Sequence, residues 1–320
     1  MKVLFAASPA IAVPCLEALC NIDGVELAGV LTNPDSAKGR SGALVPTEVG
    51  EAAEKLLAET GQNFPILKPF KLDSEAREQV AALKPDLLVS FAYGRLFGPK
   101  FLSLFPLGGI NIHPSLLPKY RGPSPIQAAI LKRDAVTGVS IQTLAREMDS
   151  GDILAVHQFQ LTGKETALSL SETVSEKAAQ MLPDLLKKIS SGSAEKKPQN
   201  HSEASYCKLF SKDDSFIDWN KSALEIDAAV RAFTPWPLCR TIHNGKELII
   251  LKASLPSLQD AVSLQGKPGQ VLGTDKEHGI LIKTGDGILS VTELQYQQKK
   301  ALFWRDFLNG ARDFTGSHLE

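Results

Sequence analysis

Asn111 and His113 stand two residues apart in the run Gly108-Gly109-Ile110-Asn111-Ile112-His113-Pro114-Ser115. In an extended strand that spacing puts both side chains on one face. An amide NH2 is a neutral donor suited to an oxygen that gains negative charge. An imidazole donates to such an oxygen or moves a proton near neutral pH. Together they suit attack on a carbonyl group through a tetrahedral intermediate. Ser115 lacks a Gly-x-Ser-x-Gly setting and no cysteine is near in sequence, so the expected nucleophile is a substrate amine that attacks directly. Asp149 opens the turn Asp149-Ser150-Gly151-Asp152. Near His113 its carboxylate would orient the ring, favour the charged form and help to take a proton from the amine. On these residues alone two readings stay open: polar groups that serve only their own loops, or a site for acyl transfer.

The elements around them have to bring the three together. Residues 3–7, 25–31, 86–91 and 109–112 are nearly continuous apolar runs, as in strands buried on both faces. Between them 9–20, 47–60 and 74–83 carry helical periodicity, and this alternation argues for an open α/β sheet. Residues 138–146 and 153–160 read as an antiparallel hairpin, which makes the sheet mixed, and 166–190 reads as one amphipathic helix. Ligands of such sheets gather at the carboxyl ends of the strands, where Asn111 and His113 fall. The first turn, Ala6-Ala7-Ser8-Pro9-Ala10, has no glycine for close approach to a pyrophosphate, and no phosphate-binding loop occurs anywhere. Both facts argue against a nicotinamide oxidoreductase or a nucleotide hydrolase.

Residues 190–205 turn polar and read as a linker. Beyond them short strands are expected at 238–243, 247–254, 270–273, 279–284 and 288–294, the first two joined at Asn244-Gly245, a strong hairpin signal. The expected fold class is therefore α/β: an open, mixed but mainly parallel Rossmann-like sheet domain over 1–189, a linker over 190–205, and a small OB-like β-barrel domain over 206–320. The sheet and its crevice end before the linker, so the first domain is expected to fold alone.

The formal charge of −1 gives no global field, so a nucleic acid would have to be held by a local patch. No apolar run approaches the ~20 residues of a membrane span, and the five apolar residues after Lys2 are short of the roughly 7–15 of an export signal. Four cysteines form no Cys-x-x-Cys pair and no zinc-ligand spacing with histidine. The expectation is a cytoplasmic protein with reduced thiols and no metal.

The run 109–122 closely resembles the Asn-x-His-Pro-Ser-Leu-Leu-Pro-x-x-Arg-Gly segment of the folate-dependent formyltransferase family. Thr137-Gly138-Val139 and Met148-Asp149-Ser150-Gly151-Asp152 match its downstream pieces in order. The resemblance implies 10-formyltetrahydrofolate as formyl donor, no metal, and Asn111, His113 and Asp149 as the catalytic set. It also implies that Ser115, Leu116, Leu117 and Pro118 help to bind the folate and that Phe91, Ala92 and Tyr93 lie beside its pterin ring. The stretch 32–42 is similar to a loop with which tRNA-acting members grip the acceptor end, Lys38 and Arg40 meeting phosphate. Phe216-Ile217-Asp218-Trp219, Arg231-Ala232-Phe233 and Pro235-Trp236-Pro237 resemble the second domain of those members. The implied acceptor is initiator methionyl-tRNA, with the chain acting as a monomer away from membranes. A small-molecule acceptor, or hydrolysis of the donor itself, is the alternative.

Overall fold

Strands whose residues are almost all buried form the centre of a seven-stranded sheet, as the uninterrupted apolar runs require. The computed structural model describes residues 1–37, 42–257 and 265–320. In chain order the elements begin β1 (Lys2–Ala7), α1 (Val13–Leu19), β2 (Glu26–Leu31), β3 (Ser36–Ala37), β4 (Leu44–Val45), α2 (Glu48–Thr60) and β5 (Ile66–Leu67). They continue as α3 (Ser74–Ala82), β6 (Leu87–Phe91), α4 (Pro99–Leu102), β7 (Gly109–His113), α5 (Pro125–Lys132), β8 (Val136–Thr143), β9 (Ile153–Gln160) and α6 (Ala167–Ser190). The sheet order is β5-β2-β1-β6-β7-β8-β9. The first five strands are parallel, and β8 and β9 return antiparallel.

Register decides what faces the crevice. Asn111 on β7 lies between Ser90 on β6 and Gln142 on β8, and His113 pairs with Ser140. On the opposite face of β7, Ile110 and Ile112 are buried in the apolar core.

The chain divides into two compact units. The first comprises Met1–Pro125, Val136–Gln160 and Ser171–Cys207, and the second Ile126–Ala135, Leu161–Leu170 and Lys208–Glu320. The stretch 190–205, read from composition as a linker, thus falls within the first unit. Its polar groups serve as bonding partners. Lys197 exchanges backbone hydrogen bonds with Ile153 at 2.8 and 2.9 Å, Arg121 N donates to Ser205 O at 2.8 Å, and Cys207 N donates to Arg121 O at 2.9 Å.

The second unit contains α7 (Ala223–Phe233), β10 (Cys239–His243), β11 (Lys246–Ser254), β12 (Val271–Asp275), β13 (Gly279–Lys283), β14 (Ile288–Tyr296), β15 (Leu302–Phe303) and α8 (Trp304–Gly310). Its strands pair antiparallel in the order β10-β11-β14-β13-β12, with β15 on β14. The tail 316–320 joins the two ends of that sheet. On one side Gly316 N donates to Val271 O, Val271 N to Ser317 O and Leu319 N to Gly269 O. On the other, Glu320 and Ile242 exchange both backbone bonds at 3.0 Å, and Leu319 is fully buried. No described helix is long and apolar enough to cross a membrane.

Candidate active site

Three polar side chains meet at the carboxyl end of β7. Asn111 Nδ2 stands 3.5 Å from Asp149 Oδ1, and His113 Nδ1 stands 3.6 Å from Asp149 Oδ2. Asp149 reaches them from the β8–β9 turn, where its φ of 52° lies in the left-handed region. Aspartate tolerates that conformation better than most residues, and surroundings that over-determine it hold it there. Here the surroundings are explicit. Gly122 N donates to Asp149 Oδ2 at 2.8 Å, and Gln142 Nε2 donates to Oδ1 at 3.0 Å. Two glycines make the approach possible. A Cβ on Gly151 would collide with the Thr143 carbonyl, and one on Gly122 (φ 116°) with the Cys207 carbonyl.

His113 is 4% exposed. Its Nε2 lies 2.9 Å from the Tyr120 carbonyl, which can only accept, so Nε2 carries a proton. A second proton at Nδ1 would face the Asp149 carboxylate. Burial opposes that charge and holds the imidazole below its ordinary 6.5, while Asp149 and the Tyr120 carbonyl pull the other way. With Nε2 on the Tyr120 carbonyl, the other ring nitrogen faces Asp149. Asn111, only half-buried and carrying two amide hydrogens, keeps one for a developing oxyanion. The Cys207 thiol is close to this cluster. Burial pushes its pKa up, the Ser124 N–H works against that, and the Asp149 charge adds to the rise, so a thiolate nucleophile is disfavoured.

The other residues named from the sequence are placed differently from one another. Ser115 is fully buried with its hydroxyl donated to Lys119 O at 2.5 Å, so its one proton is spent on the 113–119 turn. Leu116 and Pro118 are half-buried, and Leu117 is buried with its N–H donated to Ser140 Oγ at 3.0 Å. Phe91 and Tyr93 turn their rings inward: Tyr93 is 2% exposed and stacks on Phe97. Only Ala92 of that trio is exposed, at φ 50°. Its turn can therefore meet a ligand through main chain and not through aromatic rings. Lys38 and Arg40 lie outside the described residues.

Three site residues went unread in the sequence. Gln142 is 2% exposed and Gln199 7%, and Arg121 is 2% exposed. Gln142 was findable, because strand alternation on 138–146 puts it on the crevice face. A groove of about 550 Å3 lined by Lys68, Phe70, Asp73 and Gln79 shares no residue with this cluster.

Residues 1–186 match the formyl transferase family, and 210–312 match the family's C-terminal domain. The chain belongs to the formyl transferase family. It is 46% identical to the methionyl-tRNA formyltransferase of Treponema denticola over 323 aligned residues, covering 100% of both chains. The methionyl-tRNA formyltransferase of Borrelia hermsii is 40% identical over 99% of both. Among solved structures, HypX from Aquifex aeolicus in complex with tetrahydrofolic acid shares the fold, with a TM-score of 0.64 at 20% identity. That match covers 98% of this chain and 48% of HypX.

Proposed function

We propose that this chain transfers the formyl group of 10-formyltetrahydrofolate to the amino group of initiator methionyl-tRNA, in the cytoplasm and as a monomer. The observation that carries the reading is the convergence of an amide, an imidazole and a carboxylate on one point at the carboxyl end of the sheet. Full-length identity to methionyl-tRNA formyltransferases supports the acceptor. The turn at 92–94 supports the donor: Ala92 and Gly94 are exposed, with open space beside Gly94, so its peptide groups can lie along a flat ring.

The reaction needs three things from the protein. Asn111 donates to the formyl oxygen as the amine adds to the formyl carbon and the C=O electron pair moves onto oxygen. Asp149, its charge held by Gly122 and Gln142, takes a proton from the nitrogen that has become positive. His113, protonated on Nε2, turns its Nδ1 lone pair to Asp149 and accepts a hydrogen bond from the carboxyl group while that group holds the proton. When the carbonyl re-forms, the bond to the folate nitrogen breaks and that nitrogen receives the proton. Formylated methionyl-tRNA and tetrahydrofolate result.

Lys38 and Arg40 are assigned to the acceptor end of the tRNA. Arg40→Ala is expected to impair formylation and leave folate affinity unchanged. The deciding experiment is incubation with 10-formyltetrahydrofolate and charged initiator tRNA, with glycinamide ribonucleotide as competing acceptor. Formyl-methionyl-tRNA is the expected product. Transfer to the ribonucleotide alone, or release of formate alone, would overturn the assignment.

A further inference from the structure

Three side chains outside the catalytic trio form a directed line of hydrogen bonds that ends on Asp149. It begins at Arg121, among the largest fully buried side chains of the protein. A guanidinium has five N–H donors and no acceptor. The atom of Gln199 that faces Arg121 Nε at 3.1 Å and Nη2 at 2.6 Å must therefore be the amide oxygen. That orientation turns the Gln199 NH2 toward Gln142 Oε1 at 3.1 Å, Asp149 O at 2.9 Å and Gly151 O at 2.7 Å. All three are acceptors, so both ends of Gln199 agree. Gln142, with its oxygen engaged, has only its NH2 left for Asp149 Oδ1 at 3.0 Å.

We infer that Arg121, Gln199 and Gln142 are positioning residues for Asp149: the buried cation fixes the direction of two successive amides, so that the carboxylate always meets a donor. Gln199 at the same time clamps the left-handed turn through its bonds to the Asp149 and Gly151 carbonyls. The inference rests on the formyl-transfer reading, which gives Asp149 its catalytic role.

A structural bridge alone does not need this arrangement. Backbone bonds already tie 118–121 to 205–207, through Arg121 N to Ser205 O, Ser205 N to Pro118 O and Cys207 N to Arg121 O. Arg121 also has no carboxylate within ion-pair reach among the described residues. Its remaining partners are His201 Nδ1 at 3.1 Å and Tyr206 Oη at 3.5 Å. Burying a cation against neutral groups is costly, and a neutral amide in its place could present either end to Gln199. Only a group without acceptors sets the direction.

Gln199→Glu separates direction from bridging. The carboxylate is the same size and a better partner for Arg121, so the bridge survives. It has no N–H, so the Gln142 amide turns round and presents its oxygen to Asp149, and the clamp on the turn is lost. Turnover of the full chain with 10-formyltetrahydrofolate and methionyl-tRNA should fall roughly 10- to 100-fold, the scale of one hydrogen bond to a charged group, while KM for both substrates holds. The acid limb of kcat should move to higher pH, because Asp149 loses a donor and gains a like charge at 199, and Gln142→Met, which adds no charge, shows the share due to the lost donor. The titratable and charged groups around Asp149 are His113 from β7, the Cys207 thiol, and Arg121 with His201 beyond Gln199. None of these is altered.

Gln142→Met leaves Arg121 and Gln199 untouched and should give a similar loss and limb shift. The double variant should lose no more than about the worse single one. Wild-type kcat and pH profile in either folded variant, or losses that multiply, would overturn the inference. If Gln199→Glu does not fold by circular dichroism, Gln142→Met decides alone. The wild-type chain is the control: no transfer to methionyl-tRNA would mean that the functional reading fails and this inference with it, whereas transfer undiminished in the variants rejects only the relay.

Discussion

Two histidines of this protein are buried alike and differ in what surrounds them. His113 in the first unit is 4% exposed and His243 in the second 2%. Burial lowers the pKa of both rings from 6.5. His243 sits among aromatic rings: Phe314 meets it edge-on at 4.7 Å and Tyr296 stacks at 6.1 Å. Its Nδ1 bonds Tyr296 Oη at 2.6 Å, and its Nε2 has no partner among the described residues. His113 has a carboxylate on one nitrogen and a carbonyl on the other, and that carboxylate is held in turn by Gly122, Gln142 and Asn111. Burial of an imidazole therefore marks nothing. What marks a site is a polar neighbourhood that several chain segments cooperate to satisfy.

Substitutions around the two rings should separate them, beginning with the most damaging. Asn111→Asp should reduce turnover by at least about 10²–10³, the scale of losing one oxyanion donor, in protein that still folds. Near-normal kcat would remove the amide from the mechanism. His113→Ala and Asp149→Ala should each cost heavily, and the double variant about as much as the worse single one, because the pair acts as a unit. Cleanly multiplicative losses would show independent roles and weaken the contrast with His243.

Gly151→Ala tests the frame rather than the chemistry. Its Cβ would meet the Thr143 carbonyl, so the turn has to move, at about 1–3 kcal/mol of stability and with loss of turnover as Asp149 shifts. Full activity at reduced Tm would show that the turn has slack. Acid pH should act on both rings. Their folded pKa values lie below 6.5, so the unfolded chain binds more protons as pH falls. Stability should thus be complete above 6.5 and decline as pH drops through that value. His243→Phe should make the decline shallower in denaturant titrations. At pH 7 the same variant should change stability by no more than about 1 kcal/mol and leave kcat untouched. A catalytic defect there would break the comparison.

Much of the frame was legible. The six long strands and most helices of the first unit follow from apolar runs, alternation and helical periodicity, and Asn111 with His113 from a spacing of two, whereas the two-residue strands β3, β4 and β5 carry no such signal. α7 was missed although its signal is local: Ser222 and Glu225 form a capping box at its start. Gln199 was hidden for a physical reason. A stretch poor in apolar residues looks like a tether, yet it supplies the buried amide that bonds the Asp149 turn, and composition cannot tell a solvated amide from a bonded one. Ser115 shows the reverse: the motif names the residue, and only the fold shows that its hydroxyl proton goes to the Lys119 carbonyl of its own loop.

The tail at 316–320 bears on which sheet edges of the second unit are open to another chain. A sheet that ends in open strands offers rows of unpaired N–H and C=O groups to any other chain. Here the same five residues cover part of both β10 and β12, through Ile242 on one side and Gly269 and Val271 on the other, and Ile217 N bonds Arg240 O further along β10. Peeling that one segment away frees the backbone groups of Ile242, Gly269 and Val271, on two edges at once. A chain shortened before Gly316 should associate as its concentration rises, by edge-to-edge pairing that light scattering would detect, and a synthetic peptide of the missing residues should suppress it.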